Sequence, residues 1–213
     1  MPVSPGRTIR QERSRKTYEA LVTTGFKLLE KREFEAITIA EFAGAAGYSV
    51  GAFYARFESK DEFFEAMVAH HLRVRLRAHE RLFATASRET LVDALIEDLV
   101  KYYWRHRRFW RAALVRSTTD PEFWAPLNDA AQGFVASLMD RIERDSGRVL
   151  TESERDNARF ATHIVFGMVN NRIVNRPRPS LIGHSTFIEN LTRAFRLVSD
   201  YDSLIGSGAK RAN

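Results

Sequence analysis

The segment from Thr38 to Lys60, TIAEFAGAAGYSVGAFYARFESK, constrains this chain more than any other. Thr38 followed by Glu41 is a capping box, so a helix begins there. Ile39, Phe42, Ala43 and Ala46 then fall on one face at helical spacing. Gly47 supplies the left-handed or sharply turned backbone that ends the helix. Ser49 caps a second helix, its hydroxyl accepting from the amide of Gly51 or Ala52. Val50, Phe53, Tyr54 and Phe57 give that helix an apolar side, and Ser59 with Glu62 boxes the start of a longer one. Two short helices joined by a Gly-containing turn make a helix-turn-helix. The second helix of such a unit places its N-terminal residues in the DNA major groove.

The side chains suit that role. Gly51 and Ala52 are small, so backbone can come close to a base edge or a phosphate. The helix N-terminus attracts phosphate. Tyr48 and Tyr54 offer hydroxyls, and Lys60 a charge, for backbone oxygens. Ser49, Val50, Gly51 and Ala52 are the residues that approach bases, with Thr38 opening the unit. Short helix-turn-helix segments also serve as plain packing units in all-α proteins, so spacing alone leaves both readings open.

The pattern Thr38-Ile39, Phe42-Ala43, Ala46-Gly47-Tyr48-Ser49, Gly51-Ala52-Phe53-Tyr54, Phe57, Lys60 and Glu62-Phe63 resembles the DNA-binding domain of the tetracycline-repressor (TetR) family of bacterial transcriptional regulators, over about residues 13–63. Three departures stand out. Glu33 precedes Phe34 where the family usually has Gly. Thr24-Gly25 stands where the family tends to small alanines. Val50 and Ala52 occupy positions often held by polar residues, so base readout leans on thymine methyls and DNA shape. The resemblance implies a ligand-responsive regulator, a repressor on this reading. It implies a two-fold dimer built from the last two long helices, and an effector pocket in the C-terminal domain. A two-fold dimer binds a palindromic operator whose half-sites lie about one DNA turn (~34–36 Å) apart.

Bulk properties agree. The chain has 213 residues with 44 % hydrophobic, enough for one core and a small second domain. Charges interrupt every apolar run, which argues against a membrane span. Met1 to Lys16 is basic and polar without a signal core, so a cytoplasmic protein is expected. There is no cysteine, which excludes thiol sensing and disulfides. The net charge of +6 favours a polyanionic partner. Arg7, Arg10, Arg13, Arg15 and Lys16 outweigh Glu12 before helix one, either as an arm along phosphates or as a solvated terminus.

The expected fold is all-α with about nine helices. A helix-turn-helix domain with its basic arm spans residues 1–60, an effector-binding and dimerisation bundle spans 61–205, and a disordered tail spans 206–213. Helix one runs from about Arg13 to Arg32. Helix four carries Phe64, Val68, Leu72, Leu76, His79 and Phe83 on one stripe. Asp120 caps a helix with Pro121 at its first position and Gly147 at its end. Thr151 with Glu154 and Thr186 with Glu189 box the last two long helices, and Pro177 and Pro179 stop the first of these. That helix, with Phe160, Ala161, Ile164, Val165, Phe166, Gly167, Met168 and Val169, is apolar nearly all round. Either one face meets a second copy, with Ala161 and Gly167 permitting close approach, or this is the central helix of a monomeric bundle.

A basic run, Lys101, Arg105, Arg107, Arg108, Arg111 and Arg116, is interleaved with Tyr102, Tyr103, Trp104, Phe109 and Trp110. Either the aromatics pack inward while the charges face water, or the cluster meets an acidic ligand or DNA. No catalytic constellation emerges. His70 and His71 lack a partner four residues away, and His79, His106 and His163 sit on apolar stripes as core residues. No nucleophile elbow or phosphate-cradling loop occurs, so an enzyme is not expected, and neither is a cofactor or metal. The aromatics of the C-terminal domain either fill its core or line a pocket; the resemblance implies a pocket, with Tyr103, Trp110, Phe134 and His163 as candidate residues for a small apolar or aromatic effector. The alternative is a helical small-molecule-binding protein without operator binding.

Overall fold

The computed structural model describes residues 5–175 and 183–206, with side chains described from residue 12 onward. The described residues form ten α-helices and one 3-10 turn, and no strand. They gather into two units, Met1–Arg73 with His106–Ala112, and Val74–Arg105 with Ala113–Asn213.

In the first unit, α1 (Pro5–Leu29) starts well before Arg13. Pro5 suits a first helical position, where no amide partner is required. The basic residues expected in an arm therefore lie within α1, and Arg13, Arg15 and Lys16 are exposed on it. Leu21, Val22, Phe26 and Leu29 are buried at helical spacing. A 3-10 turn at Phe34–Ala36 leads to α2 (Ile39–Ala45), α3 (Val50–Tyr54) and α4 (Lys60–Thr85). Ser59 caps α4 by accepting from the Glu62 amide at 3.0 Å. Only half of the expected box forms, because Glu62 turns its carboxylate to the amide of Glu58.

Phenylalanine holds these helices together. Phe42, Phe53, Phe57 and Phe63 are at most 2 % exposed. Phe63 meets the other three with ring centroids 4.9–5.2 Å apart. Phe34 packs on Phe64 at 4.6 Å. Gly25 lets α1 approach this group: a Cβ there would stand 2.9 Å from Cζ of Phe63 and 3.1 Å from Sδ of Met67.

Residues 106–112 belong to the same unit. Phe109 is fully buried against Phe26, Phe64 and His71. Arg108 donates to the Glu30 carbonyl at 2.5 Å, and Arg108 and Arg111 each lie 3.4 Å from the Glu33 carboxylate. Glu33, a departure from the family pattern, thus receives two arginines. The expectation that this run simply faces water fails here. Long guanidinium side chains cover apolar surface while their heads find carboxylates.

The second unit comprises the end of α4, α5 (Leu91–Arg105), part of α6 (Arg107–Ser117), α7 (Pro121–Ser146), α8 (Glu152–Asn175), α9 (His184–Ser199) and α10 (Tyr201–Gly206). Asp120 caps α7 through the Phe123 amide at 3.0 Å, and Gly147 ends it at φ 70°. Thr151 and Glu154 form their reciprocal box ahead of α8. No such box forms at Thr186, because α9 starts earlier, at His184 after Gly183. Arg141, buried on α7, donates to the carbonyls of Phe83 and Ala86 and so satisfies the end of α4. Arg116 stacks on Phe123 and pairs with Asp120. The short α10 buries Tyr201, Leu204 and Ile205 and begins after Asp200, which adopts φ 51°. Asp is a weak signal for such a break, which explains why the sequence did not separate α10. Gly206 closes α10; residues 207–213 of the expected tail, and Pro177 and Pro179, lie outside the described residues.

Two stripes depart from expectation. On α4, Leu76 is 60 % exposed while Arg75 is only 5 % exposed. On α8, Ala161 is buried within the chain, whereas Phe160, Gly167 and Met168 are exposed.

Gly25→Val, which adds a branched side chain where Phe63 and Met67 already touch, is expected to destabilise the fold by roughly 1–3 kcal/mol through overpacking. Urea unfolding of the two proteins side by side measures this.

Candidate nucleic-acid interface and ligand site

The turn between α2 and α3 is built from local caps. The Thr38 hydroxyl accepts from the Glu41 amide at 3.2 Å, and the Glu41 carboxylate accepts from the Thr38 amide at 2.7 Å. Arg32 adds an ion pair to the same carboxylate at 2.5 Å and donates to the Ala36 carbonyl. Sequence patterns gave no hint of Arg32, because its partner lies nine residues on, outside any capping motif. Gly47 adopts φ 78° with open space around a notional Cβ, so backbone conformation alone demands glycine. Ser49 Oγ accepts from the Ala52 amide at 3.1 Å and starts α3.

The eight residues expected at DNA occupy one continuous stretch of this unit, but their exposure differs. Thr38, Ser49, Val50, Gly51 and Tyr54 are exposed, while Tyr48, Ala52 and Lys60 are half-buried. Val50 and Tyr54, four residues apart, share one outward face at 41 % and 52 % exposure. Phe53 points the opposite way into the aromatic cluster and touches the Tyr54 ring at 5.8 Å, edge to face. The inward residue therefore fixes which residues α3 shows to solvent. The Thr38 hydroxyl is used as a cap, donating to Glu41 as well as accepting from it. The Lys60 amine rests over the Phe34 ring at 4.5 Å and donates to the Glu35 carbonyl at 3.3 Å. Burial there pulls its pKa below the ordinary lysine value.

The four candidate ligand residues are not brought together. Trp110 is buried in the first unit, its ring 4.7 Å from that of His71. His163 is exposed, on the α8 side that also carries Phe160 and Gly167. The apolar stripe assigned to it was real, but it is a face the chain leaves uncovered. Tyr103 is buried on α5, and the low dielectric raises its hydroxyl pKa well above 10. Phe134 lines an apolar cavity of about 30 Å³ with Leu95, Leu99, Leu138, Val165 and Phe166. His79 and His106 are half-buried and packed. His79 shares a hydrogen bond with Arg75 at 2.8 Å, and His106 stacks edge-on to Phe26 at 5.4 Å.

Among the described residues, no three His, Asp or Glu side chains converge in a way that could hold a metal, and no helix is long and apolar enough to cross a membrane.

An all-helical chain whose N-terminal unit exposes a capped, five-residue second helix has the architecture of a helix-turn-helix DNA-binding protein. Residues 21–67 match the family described as bacterial regulatory proteins, tetR family. A 47-residue stretch is 43 % identical to an uncharacterized HTH-type transcriptional regulator, YwcC, of Bacillus subtilis (strain 168), and covers 22 % of this chain and 21 % of that protein. The match thus spans about a fifth of the curated relative. Solved structures extend the likeness of fold along the chain. A tetR-family transcriptional regulator from Streptomyces coelicolor superposes with a TM-score of 0.62 at 18 % identity, covering 91 % of this chain and 89 % of that one. The fatty acid degradation regulator FadR from Bacillus halodurans gives 0.62 at 14 %, covering 92 % and 96 %. A TetR-family regulator from Bordetella parapertussis 12822 gives 0.58 at 15 %, covering 84 % and 93 %. Residues 21–67 thus resemble the DNA-binding domain of the tetR family; over the remainder the likeness is one of fold.

The Arg32 pair, followed by the two Thr38 bonds, lowers the Glu41 pKa to about 2. Because the folded value is depressed, this contribution to stability is complete above the ordinary glutamate value of 4.5 and is lost as pH falls toward 2. Glu41→Gln is expected to melt at lower temperature than the parent at pH 7 and to flatten the decline between pH 4.5 and the acid limit. Thermal melts across that range measure it.

Proposed function

We propose that the chain is a ligand-responsive transcriptional regulator that binds a palindromic operator as a dimer and represses from it. The observation that carries this reading is the division of α3 into a buried Phe53 and an outward Val50, Gly51 and Tyr54, capped by Ser49. A helix held this way presents small and aromatic groups to a groove without losing its own packing. In this reading residues 1–60 read DNA and residues 61–205 bind the effector and dimerise. Val50 and Ala52 meet thymine methyls, Tyr48 and Tyr54 hold phosphates, and Lys60 adds charge at the backbone.

The dimer is proposed through α8 and α9. Phe160 and Met168 are 61 % and 44 % exposed on α8, beside exposed Gly167. A contiguous apolar face of that kind is costly in water and fits a self-complementary two-fold contact. The effector is proposed to be a small apolar or aromatic molecule bound in the C-terminal unit. It must bind one arrangement of the dimer's two reading heads more tightly than the other, since only such a difference shifts the equilibrium. The protein would act in the cytoplasm, where bacterial DNA is.

Tyr54→Ala is expected to weaken binding to specific and random duplexes alike, by about tenfold for a lost charge-assisted bond. Lys60→Ala is expected to lower the slope of log affinity against log salt by about one. Fluorescence anisotropy with a labelled duplex at several salt concentrations reads both. Unchanged binding in both variants would mean that α3 docks some other way.

A further inference from the structure

Arg75 breaks the pattern of α4. The inward position on this helix falls to a guanidinium, 5 % exposed, while Leu76 next to it is turned into solvent. Burying a cation costs several kcal/mol unless it is well paired, and an apolar residue stood one position away. Such local conflicts concentrate at functional sites.

The pairing is incomplete. Nη2 of Arg75 donates to Asp98 Oδ2 at 2.6 Å and shares a hydrogen with His79 Nε2 at 2.8 Å. The Nε–H of Arg75 is buried with no hydrogen-bond partner. The guanidinium plane stacks on the Tyr102 ring at 4.5 Å. Asp98 is 37 % exposed, so the acid of the pair is partly solvated while its cation is not. Arginine grips a carboxylate with two parallel N–H groups. Here both Nη2 hydrogens are taken, by Asp98 and His79, and on the Nε–Nη2 edge only Nε–H has no partner.

An apolar site adjoins this corner. The His79 ring lies on Phe134 at 4.6 Å, and the far side of Phe134 forms a wall of the 30 Å³ cavity among α5, α7, α8 and α9, so His79 and Phe134 stand between Arg75 and that space. That volume holds about one water. A larger apolar body enters only if half-buried Phe134 swings aside. Burial, then the neighbouring Arg75 charge, lowers the His79 pKa to about 4. The imidazole is therefore neutral at pH 7 and accepts from Arg75.

We propose that the C-terminal unit binds small molecules carrying a carboxylate on an apolar body, with the Nε–Nη2 edge of Arg75 holding the carboxylate in exchange for its bond to Asp98 and the Phe134 cavity opening to take the body. This rests on the effector reading above and narrows its chemistry to an acid.

The test is titration calorimetry on the full chain with phenylacetate and octanoate, each beside its amide, phenylacetamide and octanamide. At least one acid is expected to bind about tenfold or more tightly than its amide. Arg75→Gln should erase that difference. Asp98→Asn should tighten acid binding, because a competing carboxylate is gone. A purely structural ion pair predicts otherwise: both substitutions lower the melting temperature and no acid is preferred. If Arg75→Gln does not fold, as judged by circular dichroism, Asp98→Asn decides alone. No acid binding, equal binding of acid and amide, or weaker acid binding in Asp98→Asn overturns the inference. The same samples titrated with duplex DNA separate the two claims. DNA binding without acid binding sinks only this inference, and acid binding without DNA binding sinks only the regulator reading.

Discussion

Four phenylalanine rings decide what this protein can present to a partner. Phe42 from α2, Phe53 from α3, Phe57 from the turn beyond and Phe63 from α4 close on one another with almost no exposure. A five-residue helix has no stability of its own in water. Its order comes from burying Phe53, at about 2–3 kcal/mol for the ring, with ring–ring geometry adding roughly 0.5–1.5 kcal/mol per pair. The same burial sets the rotation of α3, and so exposes Val50, Gly51 and Tyr54 together. Gly25 belongs to this arrangement, because α1 reaches the cluster only where a side chain is missing. Shape at the surface is thus inherited from packing underneath.

Features written within a few residues were legible in the sequence. Thr38 with Glu41, Ser49, Asp120, Thr151 with Glu154, Gly47 and Gly147 all do what their types dictate, since caps and left-handed turns depend on immediate neighbours. Even there, competition intrudes. The Glu62 carboxylate takes the amide of Glu58 while the Glu62 amide still donates to Ser59, and Thr186 lies inside a helix that began earlier. Spacing names what a residue can do, but the surrounding chain chooses among the options.

Features that depend on distant segments were not legible. Trp110 and Phe109 pack with α1 and α4, dozens of residues away in sequence, so an aromatic run that looked like part of a ligand pocket is divided between two units. Glu33 looked like a lapse from the family pattern and is the carboxylate that Arg108 and Arg111 reach. His163 shares a helix side with Phe160 and Gly167, which no described residue covers to make it core. Periodicity finds the stripe and not what lies against it. On α4 the stripe fails at one position: Leu76 is outside and Arg75 inside, while Phe64 and Val68 are buried. A hydropathy pattern cannot anticipate a buried charge, because the compensation comes from Asp98 on another helix.

The outward face of α3 is proposed to read a palindrome, and selection of bound sequences from a random duplex pool by the purified chain at moderate salt tests this. Enrichment of an inverted repeat with half-sites about one helical turn, ~34–36 Å, apart is expected. Replacing Val50, which faces the bases in this reading, by aspartate is expected to abolish that enrichment, whereas Tyr54→Ala weakens binding and keeps the repeat. A folded, dimeric protein that enriches no sequence, or that enriches the same palindrome with Val50 replaced, contradicts this reading of α3.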